Sequence, residues 1–227
     1  MTTRPVVQAE ALGKTYPEAG RQHAVLDGVN LEIAEGEFVV VIGRSGSGKS
    51  TLLNLVGAMD RPDSGRLTVA GMRIDTLDEQ ARTTFRRRHI GFVFQAYNLI
   101  PTLTVRENLR LPLALNRVAP ATQDERVLDC LERLGLADRA DSFPDALSGG
   151  EQQRIAVARA LVHTPELIIA DEPTGNLDLE TGRQVLDLLD GMTRRAGRSL
   201  LMATHSHEVI GLADRVLQIA GGRLEAA

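Results

Sequence analysis

The most restrictive feature of this chain is the octapeptide Gly43-Arg44-Ser45-Gly46-Ser47-Gly48-Lys49-Ser50, directly after the apolar run Phe38-Val39-Val40-Val41-Ile42. It fits the spacing G-x-x-x-x-G-K-[ST]. The run reads as a buried strand, and Thr51-Leu52-Leu53-Asn54-Leu55 opens a helix. Between them the glycines let the backbone curl so that its N–H groups point inward, a nest for phosphate oxygens completed by the helix N-terminus. Lys49 adds a mobile point charge for the β- and γ-phosphates, and the Ser50 hydroxyl is a ligand for Mg²⁺. Lysine is scarce here: the chain has only Lys14 and Lys49 against 24 arginines, so abundance does not explain the one in the loop. Residues Gly43, Arg44, Ser45, Gly46, Ser47, Gly48, Lys49, Ser50 and Thr51 are the candidate nucleotide contacts.

The rest of the composition narrows the class. At 227 residues, 43% hydrophobic and 25% charged, the chain suits one compact α/β unit. The Phe38–Ile42 run is far short of the roughly 18 apolar residues of a membrane span. The polar start, Met1-Thr2-Thr3-Arg4-Pro5, lacks the apolar stretch of a secretory signal. A single cysteine, Cys130, excludes an intramolecular disulfide or a cysteine-rich metal site, and the cytoplasm is the expected compartment. A net charge of −4 argues against a dedicated nucleic-acid binder.

Short β-rich runs alternate with helical patterns, as in a layered α/β fold. Strands are expected at Val6–Leu12, Asn30–Ala34, Glu37–Ile42, Leu67–Ala70, Ile90–Phe94, Glu166–Ala170, Ser199–Ala203 and Val216–Ile219. Helices are expected at Lys49–Met59, Asp78–Arg87, Val105–Leu115, Asp124–Leu134, Glu151–Val162, Leu179–Arg195 and His207–Leu212. Gly71 and Gly221-Gly222 supply hairpin punctuation. Between residues 96 and 150 the pattern turns helical only, with prolines at 101, 112, 120 and 144. We therefore expect a helical subdomain at 96–150 inserted into a nucleotide-binding core of 1–95 and 151–227.

A second site element is Leu167-Ile168-Ile169-Ala170-Asp171-Glu172, an apolar strand ending in two acids. Alone, the acids are explained as the point where a buried strand must stop. Beside a phosphate loop, Asp171 is placed to hold Mg²⁺ through its waters and Glu172 to polarise the water attacking a γ-phosphate. Ligands gather at the carboxyl ends of strands in open α/β sheets. The loop, Gln95, Asp171-Glu172 and His205 all fall just past such ends.

Leu147-Ser148-Gly149-Gly150-Glu151-Gln152-Gln153-Arg154 resembles the signature motif of ATP-binding cassette (ABC) ATPases. Physically, Ser148 is an N-cap, and the helix start behind it is an anion site. The resemblance spans essentially the whole chain with every motif in order. It implies an α/β P-loop NTPase (RecA-like) core with an antiparallel β subdomain and an inserted α-helical subdomain, using ATP and Mg²⁺. It further implies that Ser148, Gly149 and Gly150 touch the γ-phosphate held by a second cassette. Tyr16 falls where an aromatic stacks on adenine, Gln95 where a glutamine senses Mg²⁺, and His205 where a switch histidine reaches the γ-phosphate. Asn176-Leu177-Asp178 resembles the loop crossing to the opposite site. Ser206 follows His205 where an Asp is frequent; either residue caps a helix.

The segment from Gly91 to Leu109, with Gly175–Asp178, resembles the lipoprotein-release and macrolide-exporter subfamily. That implies a homodimeric cassette at the cytoplasmic face of the inner membrane, an integral-membrane permease and, through the permease, a periplasmic adaptor, with no nucleic acid. Tyr97, Leu99, Ile100 and Leu103 offer an apolar groove to the permease or else form core. Arg82, Arg86, Arg87 and Arg88 form a basic helix face, solvated or set against lipid headgroups. The related cell-division cassettes leave open a regulator that transports nothing. Ribosomal cassettes are normally tandem and DNA-repair cassettes carry a long coiled coil, and neither pattern appears. A GTPase reading needs an Asn-Lys-x-Asp motif that neither lysine supplies.

Overall fold

The computed structural model describes residues 5–18, 21–205 and 207–227. Two sheets carry the fold. The first is antiparallel in the order β2-β1-β4-β5, from β1 (Pro5–Glu18), β2 (Arg21–Ala34), β4 (Ser64–Val69) and β5 (Met72–Arg73). The second has the order β10-β9-β3-β8-β7-β6, from β3 (Phe38–Ile42), β6 (Ile90–Phe94), β7 (Leu167–Asp171), β8 (Ser199–Ala203), β9 (Arg215–Ala220) and β10 (Arg223–Ala226). Strands β3 and β6–β9 run parallel, and β10 closes the edge antiparallel to β9.

Parallel strands buried on both faces must be apolar throughout, and Phe38–Val41, Leu167–Ala170 and the whole of β8 are buried. One core cluster lies between the sheets around α1 (Lys49–Val56), joining Leu12, Leu31 and Val69 to Val39, Leu52 and Leu201. A second, on the opposite face, packs Val40, Ile168 and Met202 against α5 (Gly149–Leu161) and α6 (Leu179–Arg195). A third gathers Leu109, Leu113, Leu131 and Ile155 from α3 (Val105–Leu115), α4 (Pro120–Leu134) and α5. Helix α2 (Glu79–His89) leads into β6.

The differences from expectation have local causes. Strand β1 continues past Leu12 because Ala11 takes a left-handed turn (φ 48°) and register shifts absorb the extra residues. Strands β5 and β10 were not expected; they are short and mostly exposed, so no apolar pattern marks them. Helix α1 ends at Val56, three residues early, at Gly57. Helix α4 starts at Pro120 rather than Asp124, with proline serving as a helix start. The expected helix at His207–Leu212 is a 3₁₀ turn, His207–Gly211, too short to sustain α geometry. Residues 1–4 and Ser206 lie outside the described residues.

Gly91 is where β6 meets α5: a Cβ there would fall 2.1 Å from the Ala160 carbonyl oxygen. Gly191, on α6, has nothing within 4 Å of that position. Gly91→Val should cost about 2 kcal/mol or more by overpacking, whereas Gly191→Ala should gain about 0.5–1 kcal/mol from helix propensity. Urea unfolding midpoints of the two variants check both signs.

Candidate functional site

Strands β3, β8, β7 and β6 are neighbours in that order, and each ends beside the next. The residues that follow them therefore meet at one edge of the sheet. After β3, Gly46 (φ 75°) and Gly48 (φ 106°) take left-handed backbone that other residues adopt only with strain. Helix α1 starts at Lys49 with no side-chain cap, so its first N–H groups are free for an anion. Lys49 is only 8% exposed, and its Nζ donates to the carbonyls of Gly43 at 2.8 Å and Arg44 at 3.3 Å. The buried Ser47 hydroxyl has no hydrogen-bond partner.

Asp171 ends β7. Burial pushes its carboxyl up from the ordinary range; the Ser50 hydroxyl's hydrogen bond opposes that shift, neighbouring Glu172 adds to it, and Lys49 counters it. Its Oδ1 is buried with no partner. A hydroxyl beside a carboxylate with an unclaimed oxygen is an all-oxygen donor set, which fits a hard divalent cation such as Mg²⁺.

Glu172 sits at φ 48°, and its N–H donates to the Ala203 carbonyl at 2.9 Å, which fixes it against the end of β8. Its Oε2 lies 2.9 Å from His205 Nδ1 and accepts the His205 backbone N–H at 3.3 Å. Gln95, after β6, donates from Nε2 to Asn176 Oδ1 at 3.0 Å, and Asn176 Nδ2 donates back to the Gln95 carbonyl at 2.9 Å. With Nε2 committed to Asn176, Oε1 is the Gln95 atom left for a cation.

Ser45, Gly46, Gly48, Lys49, Ser50, Thr51, Gln95, Glu172 and His205 line one cavity of about 660 Å³. Tyr16 does not line it; it stands beside the rim, in hydrogen-bond contact with Thr51. Its hydroxyl donates to Asp60 Oδ2 at 2.8 Å, and the Lys14 ammonium lies 5.2 Å from its ring centre. Burial raises the Asp60 carboxyl, but hydrogen bonds from Tyr16, the Arg61 N–H and Lys14 outweigh it and leave the pKa lowered.

Ser148, Gly149 and Gly150 are not among the residues lining this cavity. Ser148 caps α5 in a closed box: it accepts from the Glu151 N–H at 3.3 Å, while its own N–H donates to Glu151 Oε2 at 2.8 Å. That hydrogen bond lowers the Glu151 pKa. Asp178 caps α6 by accepting from the Thr181 N–H at 3.0 Å, which lowers its carboxyl in turn. It borders a smaller concavity of about 270 Å³ that also includes Glu172 and His205.

Three polar side chains hold the chain around the site by contacts that the sequence does not display, although Gln153 lies in the signature motif and Asn108 in the Gly91–Leu109 segment. Gln153, fully buried on α5, donates to the Phe94 carbonyl at 3.3 Å and the Pro173 carbonyl at 2.5 Å, clamping the chain before Gln95 to the chain after Glu172. Asn108, also fully buried, accepts from the Ile100 N–H and donates to the carbonyls of Ile100, Leu103 and Thr104. Arg159 donates to the carbonyls of Tyr97 and Asn98. All three donate to backbone carbonyls, while the Gln153 Oε1 is buried without a partner among the described residues.

Tyr97, Leu99, Ile100 and Leu103 are all half-buried, and Leu99 packs against the helical cluster. The arginines of α2 do not form the basic face expected of them. Arg82 is buried against Glu79, Arg86 is tied to Glu79, Thr83 and the Ala58 carbonyl, Arg87 is half-buried, and only Arg88 is exposed. Glu79, in the first turn and itself largely exposed, pairs with the first two, and the Ala58 carbonyl holds Arg86 against the fold.

The sequence model of the family described as ABC transporter matches residues 26–175. The chain belongs to the ABC transporter family. The cassette is 51% identical, over 99% of its length and 90% of the relative's, to an ABC transporter ATP-binding protein of Mycobacterium tuberculosis. It is 45% identical to the lipoprotein-releasing system ATP-binding protein LolD of Maricaulis maris, covering 96% of both chains. The macrolide export ATP-binding/permease protein MacB of Burkholderia pseudomallei is 42% identical over 98% of the cassette, which spans 34% of that longer protein. Among solved structures, the dimeric bacterial cassette MJ0796 superposes with a TM-score of 0.88 at 39% identity, covering 96% of each chain. A second structure of MJ0796, a dimer in a post-hydrolysis state bound to ADP and phosphate, has the same TM-score and identity. The chain is thus an ABC-type ATPase cassette with the α/β P-loop fold.

Lys49→Ala removes the cation from the cavity while leaving the loop's glycines in place. ATP affinity should fall about tenfold or more, since hydrogen bonds to charged groups are the strong ones. Fluorescent-ATP titration checks this, and unchanged affinity would remove Lys49 from the phosphate site.

Proposed function

We propose that this cassette is the ATP-hydrolysing subunit of a membrane complex. It works as a head-to-tail pair of chains at the cytoplasmic face of the inner membrane and drives an integral-membrane permease of the lipoprotein-release or macrolide-export type. The observation that carries this reading is a division within one chain. The loop, Glu172, Gln95 and His205 share one cavity, while the Ser148 helix start, a second anion site, is not part of its lining. A head-to-tail pair joins each half-site to its complement.

The N–H groups of residues 43–51 and the Lys49 ammonium hold the β- and γ-phosphates, and Tyr16, steadied by Asp60, stacks on the adenine. Ser50, Asp171 and Gln95 would hold Mg²⁺, which supplies charge neutralisation on the phosphates. Glu172 takes the proton of the water that attacks the γ-phosphorus as the bond to the bridging oxygen breaks, giving ADP and phosphate. His205, 2.9 Å from the Glu172 carboxylate, orients it and faces the γ-phosphate. Ser148, Gly149 and Gly150 of one chain close over the γ-phosphate bound by the other, with Asp178 near the crossing. ATP binding therefore joins the two chains, and loss of the γ-phosphate releases them.

We assign residues 96–150 to a helical subdomain between the core and the permease. Gln95 immediately precedes the segment, Gln153 ties the end of β6 to α5, and Arg159 ties the segment's start to α5. The permease class is supported by the likeness to LolD and MacB, and a periplasmic adaptor would be reached only through the permease. Among the described residues no helix is long and apolar enough to cross a membrane, so membrane attachment in this reading runs through the partner.

Glu172→Gln keeps the side chain's shape and removes the base. Turnover should fall about a hundredfold or more, and the chain should accumulate as an ATP-bound dimer on size exclusion. Tagged and purified in detergent with ATP, it should carry a permease with a large extracytoplasmic domain. Hydrolysis at the wild-type rate would exclude Glu172 as the base, and the absence of any membrane partner would overturn the coupling.

A further inference from the structure

A second cavity of about 360 Å³ lies on the side of the molecule formed by α4, the end of α5 and the end of α6, with none of the nucleotide-cavity residues in its wall. Its floor is apolar, built from Leu161, Val162, Leu188 and Met192. Leu188 and Met192 pack against both the core cluster on that face and the cluster of the helical segment, so the cavity sits on the seam between them. Its rim is strongly basic: Arg126, Arg133, Arg195 and Arg198 against one acid, Asp129.

The arginines are not all accounted for by the fold. Arg133 is paired with Asp129 at 2.9 Å, and both Arg133 and Arg195 stand in the last turns of their helices, where a cation offsets the helix dipole. Arg126 lies mid-helix on α4 and Arg198 follows α6, so neither has that role. Among the described residues no carboxylate lies within ion-pair distance of Arg126, Arg195 or Arg198. The Arg198 Nε is closed off from solvent with no hydrogen-bond partner. That nitrogen is out of a ligand's reach; the two terminal nitrogens of Arg198, not closed off and with no hydrogen-bond partner among the described residues, are the donors left for one. An apolar pocket of a few hundred Å³ with a few convergent polar groups is the usual form of a small-molecule site, and planar guanidinium forks match carboxylate and phosphate oxygens.

We propose that this seam cavity binds a small amphipathic anion, an apolar chain ending in one carboxylate or phosphate. The apolar chain lies on Leu161, Leu188 and Met192, and the head accepts from Arg126 and Arg198. The site is separate from the nucleotide cavity, and the inference does not depend on the proposed function. Two sources share this chemistry: a free fatty acid, and a phosphate-headed lipid fragment.

Titration calorimetry of the full chain with decanoate and with decyl phosphate, both below their micellar concentrations, tests it. One saturable site is expected for at least one of them, and the better ligand identifies the source. Decanol, which lacks the charge, should bind at least about tenfold more weakly, and Arg126→Gln/Arg198→Gln should lose about tenfold in affinity for the anion while keeping its ATP affinity. No saturable binding of either anion, equal binding of decanol, or full affinity in the double variant would each overturn the proposal. The decanol comparison uses the unaltered chain, so it stands even if the double variant fails to fold.

Discussion

The arrangement of this protein turns on the Lys49 ammonium. A charge that is 8% exposed is expensive to bury, and among the described residues its hydrogen bonds go to two carbonyls of its own loop rather than to a carboxylate. Carbonyl dipoles hold the charge in place without neutralising it. The glycines at 46 and 48, the uncapped start of α1 and the buried Ser47 hydroxyl set further donors around the same space. The parallel strand order then brings Asp171, Glu172, Gln95 and His205 to the same edge, because the carboxyl ends of β8, β7 and β6 line up beside that of β3. A chain that concentrates donors here and acids opposite is built for a polyanion accompanied by a cation.

What joins this centre to the rest of the molecule is backbone clamping by buried amides. Gln153 holds the strand-end segments on either side of the site from a helix whose first turn is the Ser148 cap. Asn108 fixes the loop from Ile100 to Thr104 onto α3. Helix α5 is thus tied by two hydrogen bonds to the chain just before Gln95 and to the chain just beyond Glu172. Geometry of this kind suits a protein whose nucleotide state must be felt at a distant surface, since clamped elements shift as bodies.

The parts legible in the sequence were those with strong local physics. Strand β3, the loop and α1 form one unit that glycine spacing and apolar runs define. Strands β6 and β8 and helices α3 and α6 fall at the expected residues, because continuous apolar runs and helix caps mark them. Hairpin glycines at 71 and 221–222 mark the turns into β5 and β10, but the strands themselves are short and exposed and carry no apolar pattern, and the length of β1 was hidden by the left-handed turn at Ala11. At the site, the sequence placed Glu172 and His205 at strand ends but held no sign that they pair with each other. Nor did it signal that Gln95 and Asn176 exchange hydrogen bonds, or that Tyr16 is tied to Asp60. Contacts between residues dozens of positions apart depend on strand order, which one sequence does not display. The arginines of α2 show the reverse error: a run of like charge reads as a face, yet Glu79 had already claimed two of them.

The most direct measurement of the central claim is a cross-link between two differently marked chains. Ser45 and Ser148 are both exposed, one on the phosphate loop and the other at the cap of α5. In a background of Cys130→Ala, one chain carries Ser45→Cys and the other Ser148→Cys, each also with Glu172→Gln to hold ATP. The account predicts a disulfide-linked dimer when the two are mixed with ATP under mild oxidation, little without nucleotide, and none from either chain alone. A cross-linked dimer from a single kind of chain, or none from the mixture with ATP, would contradict the head-to-tail composite site.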